Sequence, residues 1–227
     1  VSLELISRAG CPIAAPSANI SGRPSPTSAG HVLRDMYGAI GGILDGGSAS
    51  VGVESTVLDL SSDVPTILRP GGVTREQLER VLKRVRVSPE REILNGNKII
   101  PRSPGMKYRH YSPRGEVYIT RGSIEKAVGK IKELVLNWQK GGKRVAVLCS
   151  REAQQYYRRN NFKADLLIVL GSREEPKTVA RKLYEALHRC DEENIDIILV
   201  EEFPFKGIGY AVMNRIKKAS GDRIIHL

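Results

Sequence analysis

The feature that most constrains the fold is a regular alternation of short apolar runs and amphipathic stretches over residues 115–227. Residues 117–120 read as a strand. Ser123 can cap a following helix whose apolar face is Ile124, Ala127, Ile131, Leu134 and Trp138, and Gly141 and Gly142 end it. Residues 144–149 form the next strand, 152–159 a polar helix and 166–170 a buried strand. Pro176 stands where helix starts tolerate proline, and Val179, Leu183, Leu187 and Cys190 make the inner stripe of that helix. Residues 195–200, 211–219 and 223–227 close the series as strand, helix and strand. Five strands alternating with four helices predict a mostly parallel sheet covered by helices, a small Rossmann-like α/β domain over 115–227.

Residues 1–88 are of another kind. Residues 1–9 read as a helix already in progress, which places the true amino terminus upstream of Val1. Gly10 can end that helix. Residues 12–15 suggest a short strand, 16–27 a loop, and 28–40 a helix with Val32, Leu33, Met36 and Ile40 inward. Residues 53–60 and 66–68 flank a turn at 61–65, as in a hairpin. Thr74 and Gln77 form a capping box that opens a helix to Arg84. Between the two regions, residues 89–114 are polar, broken by Pro89, Pro101, Pro104 and Pro113, and read as a long linker.

Several function classes fall away on composition. No run of 18 apolar residues exists to cross a membrane, and no stretch reads as a secretory signal. Cys11, Cys149 and Cys190 are odd in number, far apart and without zinc-ligand spacing, which fits a reducing cytosol and not a disulfide framework. A net charge of +11 invites a polyanion, yet the Lys/Arg pairs (83–84, 143–144, 158–159, 217–218) are scattered as on solvated helix faces. The run from Gly207 to Val212 imitates a dinucleotide fingerprint but lacks its third glycine and follows the fourth strand of its unit, not the first. His31, His188 and His226 have no ligand-like neighbours in sequence.

The chemistry concentrates in four short segments. Residues 15–27, Ala-Pro-Ser-Ala-Asn-Ile-Ser-Gly-Arg-Pro-Ser-Pro-Thr, combine stiffening prolines, small side chains and hydroxyls, a composition that can hold phosphate oxygens and equally that of a surface loop. Gly-Val-Glu-Ser-Thr-Val (52–57) and Leu-Arg-Pro-Gly (68–71) follow, then Ser-Pro-Gly-Met-Lys-Tyr-Arg-His-Tyr-Ser-Pro (103–113). In order and spacing these four motifs resemble the YrdC/YwlC family of L-threonylcarbamoyladenylate synthases, in its long two-domain form. The resemblance covers essentially the whole chain and is most specific over 12–113.

The resemblance implies that residues 1–88 are the carboxy-terminal part of a YrdC-like twisted-sheet α/β catalytic domain, 89–114 a linker or lid, and 115–227 an accessory domain. It implies condensation of L-threonine, bicarbonate and ATP, with Mg²⁺, into threonylcarbamoyl-AMP and pyrophosphate. The product would pass to the tRNA threonylcarbamoyl transferase machinery, with direct tRNA contact open. By the same resemblance Ser17, Asn19, Ser25, Arg69 and Tyr108 would meet ATP, and Ala15 and Ser55 would meet L-threonine. Lys107, Arg109, His110 and Tyr111 would belong to the lid. The family's front Lys/Arg-bearing segment has no counterpart before Val1, so the chain alone would be inactive. The chemistry asks for positioning and cationic stabilisation, so no nucleophile–base triad and no protein-held metal is expected. Two rivals stand beside this reading: an RNA-binding module without turnover, and a paralogue acting on another acyl acceptor or carbamoyl donor.

Overall fold

In the parallel sheet of the second half, every central residue is apolar because both faces are covered. A computed structural model describes residues 1–88, 111–158 and 162–227. Its later part runs β4 (Glu116–Arg121), α4 (Ile124–Lys140), β5 (Val145–Ser150), α5 (Arg151–Arg158), β6 (Leu166–Gly171), α6 (Pro176–Glu192), β7 (Ile197–Glu201), α7 (Ile208–Ser220) and β8 (Ile224–His226). The strands order β6-β5-β7-β4-β8, all parallel. Ala146, Leu148, Ile198 and Val200 face α6 and α7, while Val145, Val147, Cys149, Ile197 and Leu199 face α4 and α5. Burial of that kind contributes about 25 cal/mol per Å² of apolar surface, which makes this three-layer stack the stable centre of the chain.

The sequence expectation for this half holds within a residue or two at each element, except that α7 begins at Ile208, three residues before the expected start. Ser123 caps α4 by accepting from the Lys126 amide, and Pro176 opens α6. Val179, Leu183, Leu187 and Cys190 are all buried. In the Gly207–Val212 run, Gly209 is needed for packing: a Cβ there would stand 2.2 Å from the Pro204 carbonyl oxygen.

The earlier part comprises α1 (Ser2–Ala9), α2 (Ala29–Met36), β1 (Val57–Asp59), β2 (Thr66–Arg69), α3 (Arg75–Leu82) and β3 (Arg86–Val87). Gly10 ends α1 in the left-handed conformation, and the Thr74–Gln77 capping box opens α3. β1 and β2 form the expected antiparallel hairpin, with a first strand shorter than read and a register irregularity between Val57 and Leu58. The sequence pattern missed β3, which pairs parallel to β2. Two expectations are corrected. Residues 12–15 are exposed and form no strand, since no described segment lies beside them to pair. The second helix stops at Met36, before the turn at residues 37–39. Leu33 and Ile40 are 53% and 41% exposed, and the buried member is His31. Among the described residues no helix is long and apolar enough to cross a membrane.

Candidate functional site

The two parts meet along one face of α6 and α7, and four of the predicted site residues, Ser25, Ser55, Arg69 and Tyr111, gather at that junction. The segment before β1 is drawn in first. Gly52 has φ +82°, and a Cβ on it would stand 2.3 Å from the Ala180 carbonyl oxygen in α6. Only glycine lets the backbone rest so closely on the helix. The Arg181 guanidinium fixes the same segment by donating to the Ser50 carbonyl at 2.7 Å. Gly71 provides a second close approach: its Cβ position would fall 2.4 Å from the Glu54 carbonyl oxygen, and the Gly72 amide donates to that carbonyl at 3.0 Å. The 52–57 and 68–71 motifs are thereby locked side by side.

Glu54 is the hub. Its Oε1 accepts from the Ser25 hydroxyl at 2.6 Å and from the Tyr184 hydroxyl at 2.7 Å, and its Oε2 accepts from Arg215 Nε at 2.7 Å. Burial pushes this carboxyl up, but the Arg215 charge and the hydrogen bonds outweigh burial and hold it below the usual carboxylate range. With its one proton donated to Glu54, the Ser25 oxygen can only accept from a further group. His188 Nε2 donates to the Ser25 carbonyl at 3.3 Å, so Ser25 is held at both ends. Ser55, next to Glu54, is exposed. Arg69 reaches across the hairpin, with Nη2 2.9 Å and Nε 3.3 Å from the Ser55 carbonyl and Nη2 3.4 Å from Ser55 Oγ.

The loop 16–27 is tied in at several points. Asn19 Nδ2 donates to the carbonyls of Ile20 and Arg23, so this side chain holds the loop. Arg23 pairs with Asp35 on α2 at 2.8 Å. The Ser112 amide donates to the Gly22 carbonyl at 3.0 Å. Tyr111, expected in a lid, is 6% exposed with its ring 5.1 Å from the Arg215 guanidinium and 5.7 Å from the Tyr184 ring. Burial, and then the nearby Glu54 charge, push its hydroxyl above the ordinary tyrosine value.

The structure therefore brings Ser25, Ser55, Arg69 and Tyr111 into one network and attaches Asn19 to its loop. Ala15 and Ser17 are exposed on that loop, and among the described residues no hydrogen bond ties either to the network. Tyr108, Lys107, Arg109 and His110 lie outside the described residues. Sequence reasoning missed Glu54, Tyr184, His188 and Arg215. Glu54 was within a quoted motif, but nothing in the sequence marked its partners more than a hundred positions away.

Elsewhere among the described residues, several chemistry-bearing groups are satisfied internally. At the ends of β5, β6 and β7, Ser150 donates its amide to Glu201, Arg173 pairs with Glu201 at 3.1 Å, and Ser172 donates to Glu152 at 2.5 Å. Burial pushes the Cys149 and Cys190 thiols up to about 12, which removes thiolate chemistry at neutral pH. Among the described residues no group of three His, Cys, Asp or Glu is placed to hold a metal ion. A cleft of about 840 Å³ opens beside the network, lined by Ser50, Arg173, Lys177, Arg181 and Lys206 among others, and it includes none of the predicted site residues.

Fold and junction together define a two-part α/β protein whose polar site of hydroxyls and arginines lies where a loop and a hairpin meet two helices of a parallel α/β unit. The chain belongs to the threonylcarbamoyl-AMP synthase family: the family described as "Threonylcarbamoyl-AMP synthase, C-terminal domain" matches residues 73–221. A second family, described as "Telomere recombination", matches residues 1–71. The chain is 46% identical over 225 residues to a threonylcarbamoyl-AMP synthase of Bacillus subtilis and 45% identical over 225 residues to one of Pyrococcus abyssi. Each match covers 99% of this chain. It spans 62% of the length of those two relatives. The crystal structure of P. abyssi Sua5 complexed with L-threonine superposes with a TM-score of 0.87 at 44% identity, covering all of this chain and 63% of that one.

Proposed function

We propose that the junction is part of a site making L-threonylcarbamoyladenylate from L-threonine, bicarbonate and ATP, for threonylcarbamoyladenosine modification of tRNA. The observation that carries this reading is the convergence of three family motifs: Ser25, Ser55 and Arg69 come together around Glu54 although they lie up to 44 positions apart. The relatives' name and the threonine-bound P. abyssi structure support the same chemistry for this chain.

In this reading the threonine amine and bicarbonate combine to a carbamate and water. A carbamate oxygen then attacks the α-phosphorus of ATP, and the bond to pyrophosphate breaks. The chain's own part is to bind, orient and exclude water. The Arg69 fork is suited to a phosphate or carboxylate. Exposed Ser55 offers a hydroxyl to threonine, together with the Ala15 backbone. Ser17, Asn19, Ser25 and Tyr108 would hold the nucleotide, with Lys107, Arg109, His110 and Tyr111 alongside. Mg²⁺ keeps several waters and is held largely by substrate phosphates. The described residues provide no cage of three carboxylate, imidazole or thiol ligands, so the ion would enter with ATP. The division into a catalytic part over 1–88, a linker over 89–114 and an accessory domain over 115–227 belongs to the same proposal. So do a cytosolic setting and delivery of the product to a tRNA-modifying transferase.

The test is ATP–pyrophosphate exchange by the protein of the complete reading frame, with each amino acid in turn. Exchange that needs L-threonine and bicarbonate supports the reading. Exchange driven by another amino acid points to a paralogue, and salt-sensitive tRNA binding with no exchange points to an RNA-binding module.

A further inference from the structure

We infer that Arg215 is a positioning residue of the candidate site: from α7 it fixes Glu54, and through Glu54 the Ser25 hydroxyl and the backbone that carries Ser55. Arg215 is fully buried, and the Glu54 side chain is 17% exposed. A guanidinium taken out of water on a helix of the parallel unit costs stability unless a partner meets it. Two partners hold it at the junction, Glu54 and Tyr111, and one is its neighbour on α7, Asn214. Nε donates to Glu54 at 2.7 Å, Nη1 donates to Asn214 at 2.7 Å, and the Tyr111 ring packs 5.1 Å from its central carbon. Among the described residues Nη2 has no hydrogen-bond partner, and the two bonds Arg215 does make aim its fork at Glu54, so a positioning role accounts for its burial better than a purely stabilising one.

The route to the site is short. Glu54 receives the Arg215 and Tyr184 donors from α7 and α6 on one side and the Ser25 proton on the other. The next residue, Ser55, is the one Arg69 grips. A carboxylate clamped by three donors cannot swing, and so Ser25 and Ser55 keep one relative placement. The role of the second unit is then to set geometry in the first. Its loss would be felt in turnover, because a misplacement of about 1 Å can cost on the order of a hundredfold in rate.

Four forms of the complete protein test this: wild type, R215M, R215K and the double variant E54Q/R215M. Two readouts are taken. Hydrogen exchange of peptides covering residues 25–32 and 52–59, which hold the bonded amides of Thr27, His31 and Val32 and of β1, reports positioning directly. Threonine-dependent ATP–pyrophosphate exchange reports turnover and rests on the synthase reading. In R215M the two segments should exchange about ten times faster or more, while β4 and β5 stay protected. Turnover should fall by about ten- to a hundredfold with the KM for ATP changed far less. R215K keeps the charge without the fork and should recover part of both. If R215M fails to fold, the double variant leaves no lone buried charge. It should regain the melting temperature but neither the protection nor the turnover. Wild-type protection of both segments in R215M or in the folded double variant overturns the inference, as does wild-type turnover in either. A wild type that shows no threonine-dependent exchange overturns the synthase reading alone, and the protection measurement still decides this one.

Discussion

Arg69 shows how a single residue can be legible in its place and illegible in its contacts. The family resemblance implied that it meets ATP, and the structure shows its fork on the Ser55 carbonyl. That bond ties the two motifs together and leaves the guanidinium at the junction's edge. Arg69→Ala should therefore lower threonine-dependent exchange about ten- to a hundredfold, the worth of roughly 1.5–3 kcal/mol for a charge-assisted hydrogen bond. Arg69→Lys should restore only part, because a point charge cannot replace the fork. Unchanged kinetics in the alanine variant would place Arg69 outside the site. Glu54 is the opposite case. Its motif was visible, but a carboxylate among hydroxyls gives no sign in sequence that a buried arginine awaits it.

At the scale of elements, α6 carries two stripes, and only one could be read. Val179, Leu183, Leu187 and Cys190 recur at helical spacing and are apolar, so the face toward the sheet was plain. Arg181, Tyr184, His188 and Glu192 recur just as regularly. They meet the Ser50 carbonyl, Glu54, the Ser25 carbonyl and Arg34, the last at 2.5 Å. A polar stripe looks the same whether it faces water or a partner, so this face was silent. Local capping, in contrast, is written in adjacent residues. Thr74 accepts from the Gln77 amide, and Gln77 returns the bond to the Thr74 amide at 2.8 Å. Thr74→Ala should cost about 1 kcal/mol in urea unfolding with the m-value unchanged. A loss below the error of the midpoint would mean that packing alone holds α3.

For the molecule as a whole, the junction makes stability depend on pH. His31 and His188 stack with ring centroids 4.0 Å apart across it, and His31 Nδ1 accepts from the Thr27 amide at 3.1 Å. Burial, followed by the His188 and Arg34 charges, pushes His31 down to about 4, and burial lowers His188 as well. Both rings thus take up protons at lower pH in the fold than in the unfolded chain, which does so below about 6.5. The unfolded state binds more protons in that window, so stability falls as pH drops from about 6.5 toward 4. The melting temperature should decline between pH 7 and 5, and His31→Gln should flatten the decline. An equal slope in the variant would show that carboxylates elsewhere govern it. The parallel α/β half was determined by the sequence itself, since periodicity, caps and glycine breaks act over a few residues and a two-sided sheet leaves an unbroken apolar signature. The motifs that carry the family resemblance were likewise readable as strings. Only the tertiary structure decided how the halves meet. It joined Ser25 to Glu54, Glu54 to Arg215 and His31 to His188, placed Tyr111 under a guanidinium and left residues 12–15 unpaired. Those pairings join polar partners up to 161 positions apart, and a polar side chain carries no mark of its partner until the chain has brought the two together.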